Sequence, residues 1–152
     1  MELSKKAFKA YDIRGIVPQE VNTELAYRVG RVFAAMFAAE SVVVGHDIRL
    51  TGPELAAAAI EGLRDGGCTV YDIGECGTEM VYFATAHLKT DGGIMVTASH
   101  NPKDYNGMKL VRSGARPVSA DTGLMEICEM ATEDGEFPHV VDRKSTRLNS
   151  SH

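Results

Sequence analysis

The segment Gly92–Val111 reads GGIMVTASHNPKDYNGMKLV. An apolar run ends in Thr97-Ala98-Ser99-His100-Asn101-Pro102, and a second begins at Met108. Ser99 therefore stands where a strand should end, with its hydroxyl able to face a cleft. Pro102 drives Asn101 into an extended backbone, which stiffens the loop. Gly92-Gly93 and Asn106-Gly107 bracket the segment with turn residues. Lys109 lies on the second run, and a chain that folds back would bring its amine near Ser99. A serine hydroxyl beside an amine and neutral polar groups suits phosphoryl transfer, because the amine balances phosphate charge or moves a proton. Two other readings stand beside this one. Ser99 and His100 as hydrolase partners are disfavoured, because neighbours on an extended loop point to opposite sides and no G-x-S-x-G elbow is present. Ser99, His100 and Asn101 could also do no more than hydrogen-bond a turn.

Other polar residues have plain structural readings too. Arg14 in YDIRG can pair with Asp12 at the surface, and Asp47 can pair with Arg49 to stiffen the loop they share. His87 falls near the end of an apolar helix as a cap or core residue, and Glu79 suits a helix start.

The elements that would position the serine loop alternate between strand and helix. Asn22-Thr23-Glu24 starts a helix whose apolar face is Leu25, Val29, Val32, Phe33, Met36 and Phe37. Ser41–Val44 reads as a buried strand. Thr51 and Glu54 form a capping box with Pro53 in the first turn. Leu55, Ala59, Ile60 and Leu63 bury that helix, which Gly66-Gly67 ends. Thr69–Ile73 is a strand, and Glu79–Leu88 a helix with Met80, Phe83 and Ala84 inward. Ile94–Val96 is a strand. Met108–Val111 is another, too close behind for a helical crossover, so it pairs locally or at an edge. A last helix over Thr122–Ala131 turns Leu124, Ile127, Cys128 and Ala131 to one side. Continuous apolar strands between amphipathic helices predict a three-layer α/β/α sandwich with a mixed, mostly parallel sheet. Such sheets place their sites beyond the carboxyl ends of the strands. That selects the loops at Gly45–Arg49, Gly74–Thr78 and Thr97–Asn106.

The bulk properties agree with one domain. The chain has 152 residues, 44% hydrophobic and 24% charged, with a net charge of −5. This is enough to build a core. The negative balance argues against nucleic acid or an anionic membrane as partner. No apolar run reaches the roughly 18 residues that span a bilayer, and Met1–Lys6 does not read as a secretory signal. Cys68, Cys76 and Cys128 form no close pair and read as free thiols of a cytoplasmic protein. Residues 1–142 read as the domain. Residues 143–152, with one apolar side chain, read as a non-native or disordered tail outside the fold.

Three stretches carry a resemblance. VTASHNPKDYNGMKL resembles the phosphoserine loop of the α-D-phosphohexomutases, the phosphomannomutase and phosphoglucomutase family. FKAYDIRGIVP is similar to the family's opening motif. VVVGHDIRLTGPEL is similar to its G-x-D-x-R loop, with His46 where arginine is more usual. GTEMVYFA and NGMKLVRSGARPVSADTGL are most similar to bacterial members acting on mannose phosphate.

The resemblance implies that this is the first domain of a four-domain isomerase. That enzyme would interconvert mannose 6-phosphate and mannose 1-phosphate through a hexose 1,6-bisphosphate, which also serves as activator. Ser99 would carry the phosphoryl group, Lys109 would be the general acid/base, and Arg14 would hold the phosphoryl group. Tyr11 would line the cleft, and His100 and Asn101 would shape the loop. One Mg²⁺ would bind through the phosphate on Ser99, with its aspartate ligands on a D-G-D-x-D loop that this sequence does not contain. The 152 residues alone are therefore expected to be inactive, with the remaining domains and a phosphosugar as partners. Glucose phosphate specificity, or a non-catalytic α/β binding module, remain the alternatives.

Overall fold

The computed structural model describes Leu3, residues 5–133 and residues 147–149. Its elements are β1 (Ile13–Ile16), α1 (Thr23–Met36), β2 (Ser41–His46), α2 (Gly52–Asp65), β3 (Thr69–Glu75), α3 (Thr78–His87), β4 (Gly92–Val96), β5 (Tyr105–Arg112), β6 (Arg116–Pro117), α4 (Leu124–Thr132) and β7 (Arg147–Asn149). The strands make one sheet in the order β1-β5-β4-β2-β3-β7, with β6 paired to β5. β2 runs parallel to both β3 and β4. β5 is antiparallel to β4 and to β1. The strands near residues 42, 70 and 95 are thus neighbours in one mixed sheet, as the alternation predicts.

Alternation along the strands divides the core into two. Val42, Val44, Ile94, Val96, Met108 and Leu110 face α1, α2 and α4, where Leu25, Phe33, Leu55, Leu63, Leu124 and Ile127 are buried with them. Val43 and Met95 face the other way, against Val81 of α3. The α/β/α sandwich is therefore uneven, with one α-helix on its second face among the described residues. Burying each Val, Leu or Phe contributes roughly 1.5–3 kcal/mol, so the three-helix face supplies most of the apolar stabilisation.

Local sequence explains the helix starts and the close packing. Asn22 caps α1, its side-chain oxygen accepting from the Leu25 N–H at 2.9 Å. α1 and α2 meet at two glycines. A Cβ on Gly30 would strike the carbonyl oxygen of Ala59, and one on Gly62 that of Tyr27. Gly66 caps α2, and the following Gly67 has φ +96°, a conformation that favours glycine.

Three expectations need correction. Met80 and Phe83 are 48% and 60% exposed, and α3 buries Val81 and Thr85 instead. Every residue from Met80 to Ala84 is apolar, so the sequence offers no polar side from which to fix the phase. Thr51 does not form a capping box: its backbone is already helical and its side chain makes no cap bond. Its hydroxyl instead accepts from Asn106 Nδ2 at 2.8 Å, drawn into the loop network described below. β1, which the sequence reading did not mark as a strand, covers the outer edge of β5.

Within the segment 143–152 set apart in the sequence, Arg147–Asn149 pair with Val70–Asp72 of β3. An edge strand can be added through main-chain groups alone. The boundary expected at residue 142 lies outside the described residues. Among the described residues, no helix is long and apolar enough to cross a membrane.

Candidate functional site

Strand parity places the charged residues on one side of the sheet. Arg14 on β1 pairs with Gly107 on β5, and Lys109 is two residues further along the same strand. Residues two apart share a face, so Arg14 and Lys109 both lie on the α3 side. Lys109 in turn pairs with Met95, which packs toward α3. Ile13, between Asp12 and Arg14, turns to the opposite core. Gly107 allows the close crossing, since a Cβ there would strike the Ile13 carbonyl.

Asp12 joins the two cations. Arg14 Nε donates to its Oδ1 at 2.9 Å, and Lys109 Nζ to its Oδ2 at 3.3 Å. Arg14 Nη1 reaches across to Asn101 Oδ1 at 3.1 Å. The chain Lys109–Asp12–Arg14–Asn101 thus ties β5 and β1 to the loop that follows β4. Asp12 was read in the sequence only as a surface partner for Arg14. Its side chain is 6% exposed, and it holds both cations.

Ser99 sits at the carboxyl end of β4, exposed, with its hydroxyl bonded to none of the described residues. Its backbone has φ +54°, the left-handed region that non-glycine residues seldom adopt. The surrounding bonds explain why it stays there. Thr97 Oγ1 donates to Asp47 Oδ2 at 2.6 Å and accepts from the Ser99 N–H at 3.0 Å. Asn101 N–H closes a turn on the Ala98 carbonyl at 3.0 Å. Arg49 is the largest clamp. Its Nη2 donates to the carbonyls of Ser99 and Asn101 at 3.0 and 2.6 Å, and its Nη1 to those of Pro102 and Tyr105 at 2.6 and 2.9 Å. The Asp47–Arg49 ion pair exists at 4.0 Å, but the loop that Arg49 stiffens is chiefly the serine loop. The sequence signal was available in the Asp-x-Arg spacing; its target fifty residues away was not.

The remaining candidates are exposed. Tyr11 is 77% exposed, and His100 is exposed beside Ser99. Ile48, Arg49, Leu50 and Lys103 line an open hollow of about 340 Å³ next to the loop. His87 is an exposed residue stacked on Phe83, with ring centroids 5.2 Å apart. Burial raises the Cys76 thiol above its ordinary value, helped by the charges of Glu79 and Asp47. Burial also raises the Tyr82 phenol, with a further push from Asp12.

Among the described residues, no group of three His, Cys, Asp or Glu side chains could hold a metal. The carboxylates of Asp12 and Asp47 are already engaged by Arg14, Lys109, Thr97 and Arg49. Any further metal ligands would have to come from outside the described residues.

Comparison with known proteins gives one consistent result. A model of the phosphoglucomutase/phosphomannomutase alpha/beta/alpha domain I matches residues 5–137. The chain is 54% identical over 140 residues to a phosphomannomutase of Escherichia coli strain K12, covering 92% of this chain and 30% of that protein. It is 60% identical over 128 residues to a protein of Xanthomonas campestris named as phosphohexose mutases, covering 84% of this chain and 29% of that one. Among solved structures, a phosphoglucomutase/phosphomannomutase family protein of Burkholderia thailandensis superposes with a TM-score of 0.78 at 34% identity, over 97% of this chain and 33% of its own. The chain thus spans about a third or less of the length of these relatives.

Proposed function

The chain belongs to the phosphoglucomutase/phosphomannomutase family through its alpha/beta/alpha domain I, and we propose that it supplies the phosphoryl-carrying serine of a phosphomannomutase. In this reading Ser99 carries a phosphoryl group and passes it to a hydroxyl of mannose 6-phosphate. The resulting bisphosphate turns over and returns its other phosphoryl group to Ser99, leaving mannose 1-phosphate.

The observation that carries the reading is the joining of Arg14 and Lys109, through Asp12 and Asn101, to the loop that presents the Ser99 hydroxyl. Phosphoryl transfer makes little covalent demand on a protein and depends on positioning and cations. Arg14 would hold the phosphoryl oxygens, and Lys109 would move the proton of the sugar hydroxyl. Tyr11 would line the cleft, and His100 and Asn101 would shape the loop. Mg²⁺, bound to a phosphate oxygen with ligands from elsewhere in the enzyme, would neutralise charge during transfer.

The exposed Ile48 and Leu50 beside the loop suit contact with further domains of a longer enzyme. Cys68, Cys76 and Cys128 form no disulfide among the described residues, which suits a reducing cytoplasm.

Two measurements on the longer enzyme test the proposal. Its intact mass should show one phosphate at rest, absent in Ser99→Ala, and that variant should lose mutase flux by orders of magnitude. Normal turnover by a well-folded Ser99→Ala enzyme would sink the assignment. Relative rates with mannose and glucose 6-phosphate decide the substrate. The 152-residue chain alone should turn over neither sugar.

A further inference from the structure

Asp12 has no part in the reaction as proposed, yet it holds both cations that the reaction uses. A carboxylate buried this deeply is costly unless it is paired. Here each oxygen has its own partner, Arg14 at 2.9 Å and Lys109 at 3.3 Å. The two partners come from different strands, so Asp12 fixes where their charges sit relative to each other. Arg14 keeps Nη1 on Asn101, two residues from Ser99. The trio of Asp12, Arg14 and Lys109 carries one net positive charge. A phosphate on Ser99 would add about −1.5 to −2, and it would compete with Asp12 for the same donors.

We propose that Asp12 is a positioning residue that holds the Lys109 amine and the Arg14 guanidinium in place while Ser99 is free, and releases the Lys109 amine to the phosphoryl group when Ser99 carries one. The inference rests on the reading of Ser99 as phosphoryl carrier. Its chemical consequence concerns the balance of binding. With no carboxylate to share them, both cations would grip the phosphoserine in the ground state as firmly as in the transition state. Such uniform binding does not raise the rate of the chemical step. Asp12, still bonded to Arg14 Nε after Lys109 is released, keeps that part of the cationic attraction in reserve until transfer begins.

The first test needs no mutase activity. The 152-residue chain is prepared with either serine or phosphoserine at position 99, each with and without Asp12→Asn. The side-chain ammonium signal of Lys109 is followed by ¹⁵N NMR. The expected result is that Asp12→Asn removes the slowly exchanging Lys109 signal in the serine chain and leaves it unchanged in the phosphoserine chain. Equal dependence on Asp12 in both chains would overturn the proposal. If Asp12→Asn does not fold, Asp12→Glu serves the same comparison and should move the signal in the serine chain alone.

The second test uses the longer enzyme. Asp12→Asn should lower kcat about tenfold or more while KM stays within about twofold, and Asp12→Glu should recover part of the loss. Unchanged kcat per folded molecule, with only thermal stability reduced, would mean that Asp12 is purely structural. The Ser99→Ala enzyme separates the two readings. If it remains active the phosphoryl-carrier reading fails, whereas the serine-chain spectra still show whether Asp12 holds Lys109.

Discussion

Arg49 Nη2 donates to the main-chain carbonyl of Ser99 at 3.0 Å, and the same guanidinium holds the carbonyls of Asn101, Pro102 and Tyr105. One side chain from the loop after β2 thereby fixes the backbone of the loop after β4. The two strands are parallel neighbours, which is why their carboxyl-end loops meet.

A lysine cannot replace that clamp, because an ammonium lacks the flat fork that reaches four acceptors at once. Hydrogen bonds to a charged group contribute roughly 1.5–3 kcal/mol, and Arg49 is mostly buried, at 13% exposure. Arg49→Lys should lower stability by about 1–3 kcal/mol in urea unfolding of the 152-residue chain. Amide exchange in residues 99–105 should rise with it. Unchanged protection in that loop would show that the clamp is dispensable.

Ser99 at φ +54° makes two substitutions diverge. The left-handed conformation costs a residue with a Cβ roughly 1–2 kcal/mol, and glycine avoids that while losing about 0.5–1 kcal/mol to chain entropy. Ser99→Gly should therefore be more stable than Ser99→Ala by about 0.5–1 kcal/mol, although both lose the hydroxyl. Thermal unfolding of the two variants decides it, and the reverse order would mean that the loop is unstrained.

Gly30 and Gly62 invite the opposite kind of test. Alanine in a helix interior normally gains about 1 kcal/mol over glycine. Here each new methyl would meet a main-chain carbonyl of the facing helix, which no rotamer change can relieve. Overpacking costs roughly 1–3 kcal/mol, so Gly30→Ala and Gly62→Ala should each be net destabilising. A rise in Tm for either would show that α1 and α2 can separate cheaply.

Alkaline pH should weaken the fold. Burial raises the acid groups of Tyr27, Cys76, Tyr82 and Cys128. The unfolded chain then gives up these protons first, and stability falls wherever it binds fewer protons than the folded chain. The stability is complete below the unfolded thiol and phenol values, about pH 8.5–10. It declines as pH rises toward the raised folded values. Urea midpoints under reducing conditions should drop from pH 8 to pH 10.5, less steeply in Tyr82→Phe. A flat profile would contradict the burial of these groups.

The sequence was most readable where one helix face alone is apolar. The expected stripe of α4, Leu124, Ile127, Cys128 and Ala131, is the buried set. α3 was misread because its apolar residues run all round, and only the tertiary position of Val43 and Met95 selects Val81. β1 is four residues long, IRGI, too short for alternation to register. Ser99, Arg14 and Lys109 were selected as candidates by residue type and family pattern. The work of Asp12, Thr97 and Arg49 was not legible, because each acts on groups brought near only by sheet pairing. Thr51 shows the same limit: a good cap by type, it serves Asn106 instead.

The antiparallel pairing of β1 with β5 also sets a timetable for synthesis. Arg14 leaves the ribosome early, while its strand partner Gly107 and its co-cation Lys109 follow more than ninety residues later. At roughly 5–20 residues per second, that gap lasts on the order of 5–20 s. Throughout it β1 lacks β5, its partner strand among the described residues, and the Asp12 side chain lacks Lys109. The α1–β2–α2–β3 portion is made within this interval and can already pack against itself. The contact of Asp12 with Lys109 therefore closes late, and a nascent chain halted before Lys109 would carry the α1–β2–α2–β3 portion without it.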